Sequence, residues 1–549
     1  MKILCVCLNS KFIHSSLSVW CIKEGIDKFC SASTKVKVFE STINSDFSEL
    51  LPLLLQEKPD IIAVSCYIWN ITKSIELCRL IKENINCSIV LGGPEAAFRA
   101  KELLNSFEFI DYISSGEGEW SIPSLINSIQ NNSLLSTTEG LTYRNRNGEI
   151  ISNDVIYHNE TPPSPYCDEY FKSLNGRITY IESSRGCPFR CAYCLSGSAG
   201  KLKLFDIEQT KADLIRLVSS GTKTIKFIDR TFNASVEHTN EILLYIKDKF
   251  SDADVCFHFE IAADILHDST MKLLSEMPAG LIQLEIGIQS FNKNTLEHIN
   301  RKSDLDKLEE NISRLLQNGN IHIHTDLIAG LSYEDFKSFT DGFNKAYKMK
   351  PNMLQLGFLK LLHGSMLKNH PEDFPAVYDE APPYEVRETQ WLSAEELRRL
   401  KLCETALDKL YNSSRFLLTL DYILEETELS PFEMFYNFGE RYDLNGISLQ
   451  QLTAKLYEYF SAICDSEKLR EKICCDLISS GVNIKLPPEL KLYDKNYKRY
   501  KKHFTELLKT NIRIVIINSN SSVFVVKDTD KKDINRRYIG TYYPIEEIK

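Results

Sequence analysis

The chain has 549 residues, a formal charge of −10 from 65 basic and 75 acidic side chains, and 43% apolar residues. Such a length exceeds one ordinary hydrophobic core and predicts roughly two to four domains, and the acidic balance excludes a protein that coats nucleic acid over its whole surface. No apolar run approaches the about 18 residues of a membrane span, the N-terminal "MKILCVCLNS" lacks a secretory apolar region, and 16 cysteines then predict a soluble cytoplasmic protein with reduced thiols and no membrane association. Most of these cysteines, Cys5, Cys7, Cys66 and Cys256 among them, sit in apolar runs and read as small buried hydrophobes.

Residues 1–135 alternate strand-like runs ("KILCVCL", "KVKVFEST", "DIIAVSCYI", "SIVLGGPEA", "FEFIDYISSGEGE") with helical stretches, which predicts an α/β, doubly wound, flavodoxin-like parallel sheet. Such a sheet binds its ligand over the C-terminal strand ends. The loops there hold Asn9 and His14, then Ser65, then Gly92, Gly93 and Glu95, then Gly116, Glu117 and Gly118. Glycines at strand ends let backbone approach a flat ligand, although a tight turn alone also asks for them. The dinucleotide pattern G-x-G-x-x-G does not follow the first strand. Residues 136–176 read as a small hairpin around Asn147-Gly148, then a proline-stiffened linker, "TPPSPYC".

From 177 to 370 six strand candidates follow, each trailed by a helical stretch: "ITYIESS", "TIKFIDRTF", "VCFHFEIAAD", "LIQLEIGIQS", "HIHTDLIAGL" and "MLQLGFLKLL". This predicts a partial (β/α)6 barrel, in which chemistry gathers at the C-terminal strand ends. Residues 371–549 read as mostly helical, ending in a β-hairpin at "NIRIVIINSNSSVFVVKD". The lysine- and tyrosine-rich "KLYDKNYKRYKKHF" reads as a solvated amphipathic helix, with base stacking and phosphate contact as the other use of that composition.

Just after the first barrel strand stand Cys187, Cys191 and Cys194, spaced C-x-x-x-C-x-x-C. A closed zinc site needs a fourth ligand nearby, and the nearest other cysteine, Cys167, lies across the linker. An iron–sulfur cube held by three thiolates keeps one iron open for a ligand. That reading is favoured over zinc or a redox-labile thiol group.

With these residues in view, "CPFRCAYC", including the aromatic Tyr193, resembles the cluster loop of radical SAM enzymes. The resemblance implies a [4Fe-4S] cluster that binds S-adenosylmethionine and cleaves it to a 5′-deoxyadenosyl radical. "GIQSFNKNTLEHINR" and "HTDLIAGLSYED" are similar to segments of the coproporphyrinogen-dehydrogenase and methylthiotransferase branches. They imply ribose contacts from Gln289 and Asp326 and a carboxylate contact from Arg301. Asp229 and Glu260 are candidates for the amino group, or are solvated strand-end charges; "IDRTFN" departs from the family's Gly-Gly-Glu.

Ahead of such a barrel, "AVSCYIWN", "VLGGPEA" and "SSGEGEWSIPSL" look like the cobalamin-binding domain of cobalamin-dependent radical SAM enzymes. D-x-H-x-x-G is absent, so the corrin is expected without a protein imidazole below cobalt, His14 lying nearby in the wrong context. The resemblance as a whole implies an enzyme, most simply a methyltransferase acting on an unactivated centre. A redox or rearrangement enzyme, and a non-catalytic cobalamin or cluster sensor, are the alternatives. The implied partners are an electron donor such as flavodoxin or ferredoxin and a small-molecule, peptide or RNA substrate.

Overall fold

The computed structural model describes residues 1–196, 201–482, 484–491, 494–529 and 532–547; Leu492 and Tyr493 of the lysine-tyrosine segment lie outside the described residues. The chain forms two compact units. One comprises Met1–Glu276, Ile299–Lys302 and Lys360–Val386; the other comprises Met277–His298, Ser303–Leu359 and Arg387–Lys549.

In the first unit the N-terminal sheet begins with β1 (Lys2–Asn9), β2 (Lys35–Thr42), β3 (Ile61–Ser65), β4 (Ser88–Gly92) and β5 (Tyr112–Ser114). These five are parallel in the order β2-β1-β3-β4-β5. Ile3 through Leu8 are all buried, as a central strand covered on both faces requires, and Cys5 and Cys7 fill core positions as small hydrophobes. Leu4, Val6, Ile62, Val64, Ile89 and Leu91 pack with Leu77, Ile81 and Leu103 of the flanking helices. Each such burial contributes about 1.5–3 kcal/mol. Because β1 lies between β2 and β3, the winding reverses there, and the crevice of the sheet opens over the ends of β1 and β3.

The expected hairpin, β6 (Leu141–Arg144) and β7 (Ile150–Ser152), is not separate from this sheet. β6 pairs antiparallel with β5, so the hairpin adds two strands to the edge. The short β5 otherwise leaves an open row of backbone donors and acceptors, which β6 satisfies while burying Leu141 and Tyr143.

The same unit carries three of the expected barrel strands, β8 (Thr179–Ile181), β9 (Thr224–Phe227) and β10 (Cys256–Ile261), all parallel. The second unit carries the other three, β11 (Ile282–Gln289), β12 (His322–Ala329) and β13 (Met353–Phe358), again parallel. Burial alternates along most of these strands. Apolar residues face the flanking helices, and polar ones (Tyr180, Lys226, Glu285, Asp326) point to the other face.

Beyond residue 390 the second unit is mainly helical, with Ser393, Ser430 and Ser448 each closing a capping box at a helix start. Its end is a three-stranded antiparallel sheet, Ile512–Ile517, Ser522–Lys527 and Thr541–Pro544, one strand more than the expected hairpin. Helix Tyr497–Leu508 buries Tyr500 and Phe504 against Ile512, Ile514 and Val523 and leaves its lysines outside, as an amphipathic surface helix does. Among the described residues no helix is long and apolar enough to cross a membrane.

Candidate cofactor sites

Cys187, Cys191 and Cys194 lie on the loop that leaves β8. The loop is pinned in place by main-chain bonds: Ala192 N donates to Ile299 O at 2.8 Å, and Leu367 N donates to Ala192 O at 3.2 Å. The first of these delivers Arg301, whose Nη1 stands 3.8 Å from Cys191 Sγ. Cys187 Sγ is 3.3 Å from Thr231 Oγ1, and Ser196 N donates to Cys194 Sγ at 3.4 Å. Tyr193 and Arg301 are partly buried beside Cys191.

Three thiols on one loop can hold three irons of an iron–sulfur cube and leave the fourth iron open, and the thiols of Cys187, Cys191 and Cys194 are all free in the structure. Among the described residues, three potential ligand atoms also gather within 4.8 Å of one another at Glu285, His324 and Asp326 and at His370, Glu372 and Asp373.

Asp229, at the end of β9, is buried at 1% exposure. Its carboxylate accepts from Ser183 Oγ at 2.7 Å, Ser184 Oγ at 2.5 Å and Ser183 N at 3.0 Å. Burial pushes its carboxyl up to about 6 against the pull of those donors. Asp229 thus ties the ends of β8 and β9 together. Glu260, on β10, is partly exposed and pairs with Lys226 of β9 at 3.5 Å.

At the strand ends of the N-terminal sheet, Asn9 Nδ2 donates to Glu40 at 2.9 Å, and Ser65 Oγ accepts from Ser18 Oγ at 3.1 Å. Gly93 has φ +89°, and a Cβ there would lie 2.4 Å from the carbonyl oxygen of Cys66, so only glycine fits this turn. Gly92 is its neighbour at the end of β4. Glu95 follows, buried, accepting from Tyr384 Oη at 2.5 Å and Arg99 Nη1 at 3.2 Å. His14 Nδ1 is 2.6 Å from Tyr180 Oη of β8, and burial holds its imidazole below the ordinary value.

The loop after β5 carries Gly116, Glu117 and Gly118. Glu117 Oε1 accepts from Arg185 Nη1 and from Lys203 Nζ, each at 2.7 Å. Burial raises the Glu117 carboxyl, and Lys203 and Arg185 overcome that to hold it below the ordinary value. Glu117, expected at a cofactor loop, therefore sits in an ion-pair network with the residues flanking the cysteine loop.

In the second unit Gln289 closes β11 with a left-handed φ of 70° at an irregularity in the β11–β12 pairing. Its Oε1 is buried without a hydrogen-bond partner. The amide oxygen is thus placed to accept a hydrogen bond from a ligand. On the neighbouring strand Asp326 Oδ1 lies 3.0 Å from His324 Nε2, with Glu285 in the same group.

Several residues of these sites escape the sequence reading. Tyr180, Lys226, Glu285 and His324 carry a faint signal, a polar residue at every second place in an apolar strand. Tyr384, Arg185 and Lys203 carry none, because their partners are remote in sequence.

Residues 3–126 match the B12 binding domain, residues 181–341 the Radical SAM superfamily, and residues 372–545 the family described as protein of unknown function (DUF4080). The 2-(S-pantetheinyl)-carbapenam-3-carboxylate methyltransferase of Streptantibioticus cattleyicolor is 25% identical over 313 residues, covering 52% of this chain and 44% of that protein. The cobalamin-dependent radical SAM methyltransferase TokK of Streptomyces tokunonensis is 24% identical over 315 residues, with coverage of 52% and 44%. The matched stretch is thus less than half the length of either relative. The solved structure of the cobalamin-dependent S-adenosylmethionine radical enzyme OxsB, with aqua-cobalamin and S-adenosylmethionine bound, shares the fold with a TM-score of 0.61 at 15% identity, over 87% of this chain and 78% of that one. The chain is therefore built from a B12-binding domain, a radical SAM domain and a DUF4080 domain, the first a domain for cobalamin and the second for a [4Fe-4S] cluster with S-adenosylmethionine.

Proposed function

We propose that this chain is a cobalamin-dependent radical SAM enzyme that transfers a methyl group to an unactivated carbon or phosphorus centre. The observation that carries the reading is the docking of Arg301 on the three-cysteine loop through the Ala192–Ile299 bond. A guanidinium beside a thiolate trio is suited to the carboxylate of a ligand chelated at an open iron. When bound, the cluster and S-adenosylmethionine supply a 5′-deoxyadenosyl radical, and cobalamin supplies the methyl group.

The chain's own residues hold, orient and shield. Cys187, Cys191 and Cys194 are the iron ligands, and Tyr193 packs beside them. Gln289 and Asp326 receive the ribose hydroxyls. Glu260, partly exposed beside Lys226, takes the amino group in preference to Asp229, which is buried at 1% exposure and accepts from Ser183 and Ser184. In the first domain Asn9, Ser65, Gly92, Gly93, Gly116 and Gly118 receive the corrin, and Glu95 and Glu117 brace the loops that present it. His14 would stay outside the corrin's ligand set, because the D-x-H-x-x-G context of a cobalt-binding imidazole is absent around it. Exclusion of water and oxygen is the scaffold's further task, since a primary carbon radical abstracts hydrogen from nearly anything close to it.

We divide the chain at 1–135 for cobalamin, 136–176 for hairpin and linker, 177–370 for the barrel and 371–549 for the C-terminal extension. A flavodoxin- or ferredoxin-type donor supplies the electron, in the cytoplasm, where the cysteines outside the cluster loop remain as free thiols.

The test is anaerobic reconstitution followed by incubation with methyl-labelled S-adenosylmethionine and small-molecule, peptide and RNA candidates. The expected result is 5′-deoxyadenosine and S-adenosylhomocysteine in about equal amounts and label in one product class. Abundant 5′-deoxyadenosine with neither S-adenosylhomocysteine nor labelled product rejects methyl transfer. Less than about half a cluster per chain by iron and sulfide analysis rejects the radical SAM assignment itself.

A further inference from the structure

The segment Lys360–Val386 belongs to the first compact unit, and its later part, from residue 372, falls inside the DUF4080 match. It is a closed strap. Lys360 bridges Glu385, and Leu361 N donates to Tyr384 O at 3.0 Å, so the two ends are fastened together.

Between those ends the strap touches both sites of the unit. Leu367 N donates to Ala192 O at 3.2 Å, inside the three-cysteine loop. Asn300 Nδ2 stands 3.3 Å from Met366 Sδ, one residue before the arginine that faces Cys191. At the other contact Gly364, with φ +88°, lies flat on Phe98 of the loop after β4: a Cβ there would come within 2.3 Å of the Phe98 ring. Tyr384 Oη donates to Glu95 Oε1 at 2.5 Å, and Arg99 Nη1 donates to the same phenol oxygen at 3.1 Å. His363 closes the group, its ring edge-on to Tyr384 with centroids 5.0 Å apart.

Glu95 is 4% exposed and Tyr384 6%. A buried carboxylate is costly unless its partners are in place, and an apolar side chain would fill the same volume more cheaply. Its position supplies the reason for keeping it. Glu95 N donates to Cys66 O, the carbonyl that crowds Gly93, so the carboxylate's anchorage fixes the turn at the end of β4.

We propose that the strap Lys360–Val386 is part of the cobalamin site, with Tyr384 as a positioning residue that locks Glu95 and the turn at Gly92 and Gly93 in the conformation that receives the corrin. This assigns a task to the start of the DUF4080 region. It rests on the reading of that loop as cobalamin-binding. Because the same strap is bonded to the cysteine loop, it also fixes the two cofactor loops relative to each other.

The experiment uses the full chain with its cluster reconstituted, titrated with hydroxocobalamin by visible absorption, then reduced for the cob(II)alamin paramagnetic resonance spectrum. Tyr384→Phe removes one hydrogen bond to a buried carboxylate and should raise the cobalamin Kd roughly tenfold and change the cob(II)alamin spectrum, with iron and sulfide unchanged. Glu95→Gln, of nearly the same shape, should act in the same direction and keeps the test open should Tyr384→Phe not fold. The double variant should bind no worse than the weaker single, because both changes break one unit. A Kd within about twofold of wild type and an unaltered spectrum in both single variants would overturn the strap's role. A wild-type chain that takes up no cobalamin would overturn the cobalamin reading and this inference with it, an outcome distinct from any seen in the variants alone.

Discussion

Arg185 Nη1 donates to Glu117 Oε1 at 2.7 Å across 68 residues of sequence. The same guanidinium holds Glu119 at 2.6 Å and Glu182 at 2.7 Å. Arg185 is the second residue before Cys187, so one side chain joins the loop after β5 of the B12-binding domain to the root of the cluster loop.

Arg185→Met should leave three largely buried carboxylates with Lys203 as the one cation the network retains among those named. Removing one partner of a buried ion pair costs about 3–5 kcal/mol. Urea unfolding should show a loss of that order, with Arg185→Lys in between because it keeps the charge and loses the fork. A loss below about 1 kcal/mol would mean that the network is solvated, as surface pairs are.

Arg301→Ala should raise the S-adenosylmethionine KM by about tenfold or more, the worth of a charge-assisted hydrogen bond, and Arg301→Lys should recover part of it. Iron content should stay at the wild-type level in both. Iron lost in proportion to activity would identify Arg301 as a support of Cys191, with no part in binding.

Gln289→Gly separates stability from binding. The wild-type backbone at φ 70° carries strain that glycine does not, so the variant should gain about 0.5–1 kcal/mol or stay neutral in thermal unfolding. S-Adenosylmethionine binding should weaken, because the orphaned amide oxygen is gone. Unchanged binding would remove Gln289 from the ribose site.

Burial pushes the Glu334 carboxyl from 4.5 up to about 8, against the pull of Ser290, whose Oγ donates to it at 2.5 Å. Between those values the folded chain keeps a proton that the unfolded chain has released. Stability from this group is therefore present below 4.5 and is lost as pH rises toward about 8, by about 1.4 kcal/mol per pH unit. Glu334→Gln should flatten the wild-type decline between about pH 6 and 8 and leave the variant the more stable form at the upper end. Parallel stability curves for the two proteins would contradict the burial effect.

Much of this protein is written in local pattern. Apolar alternation marked the strands of both units, and β1 through β4 fall where their runs lie, because periodicity is a property of neighbouring residues. The three cysteines were legible for the same reason: their spacing, within one loop after one strand, limits what they can hold. Gly93 stood out at a strand end, where the sequence offered a flat ligand or a tight turn as its reason, and only the structure shows that the atom crowding it is the chain's own Cys66 O.

What tertiary structure decided is the pairing of remote polar groups. Glu117 has the look of a strand-end ligand residue, and only the packing of the first unit delivers Arg185 and Lys203 to it. Asp229 has the same look and is consumed by two serines at the end of β8. Tyr384 is an ordinary tyrosine after two prolines until the strap brings it to Glu95, 289 residues away. The hairpin at 141–152 was visible as a hairpin, but its docking on β5 depends on which sheet edge lies open beside it. A sequence window records the period and chemistry of a side chain. The partner of a buried charge is chosen by whichever element packs against it, since desolvation makes any other arrangement costly, and that choice exists only once the chain has folded.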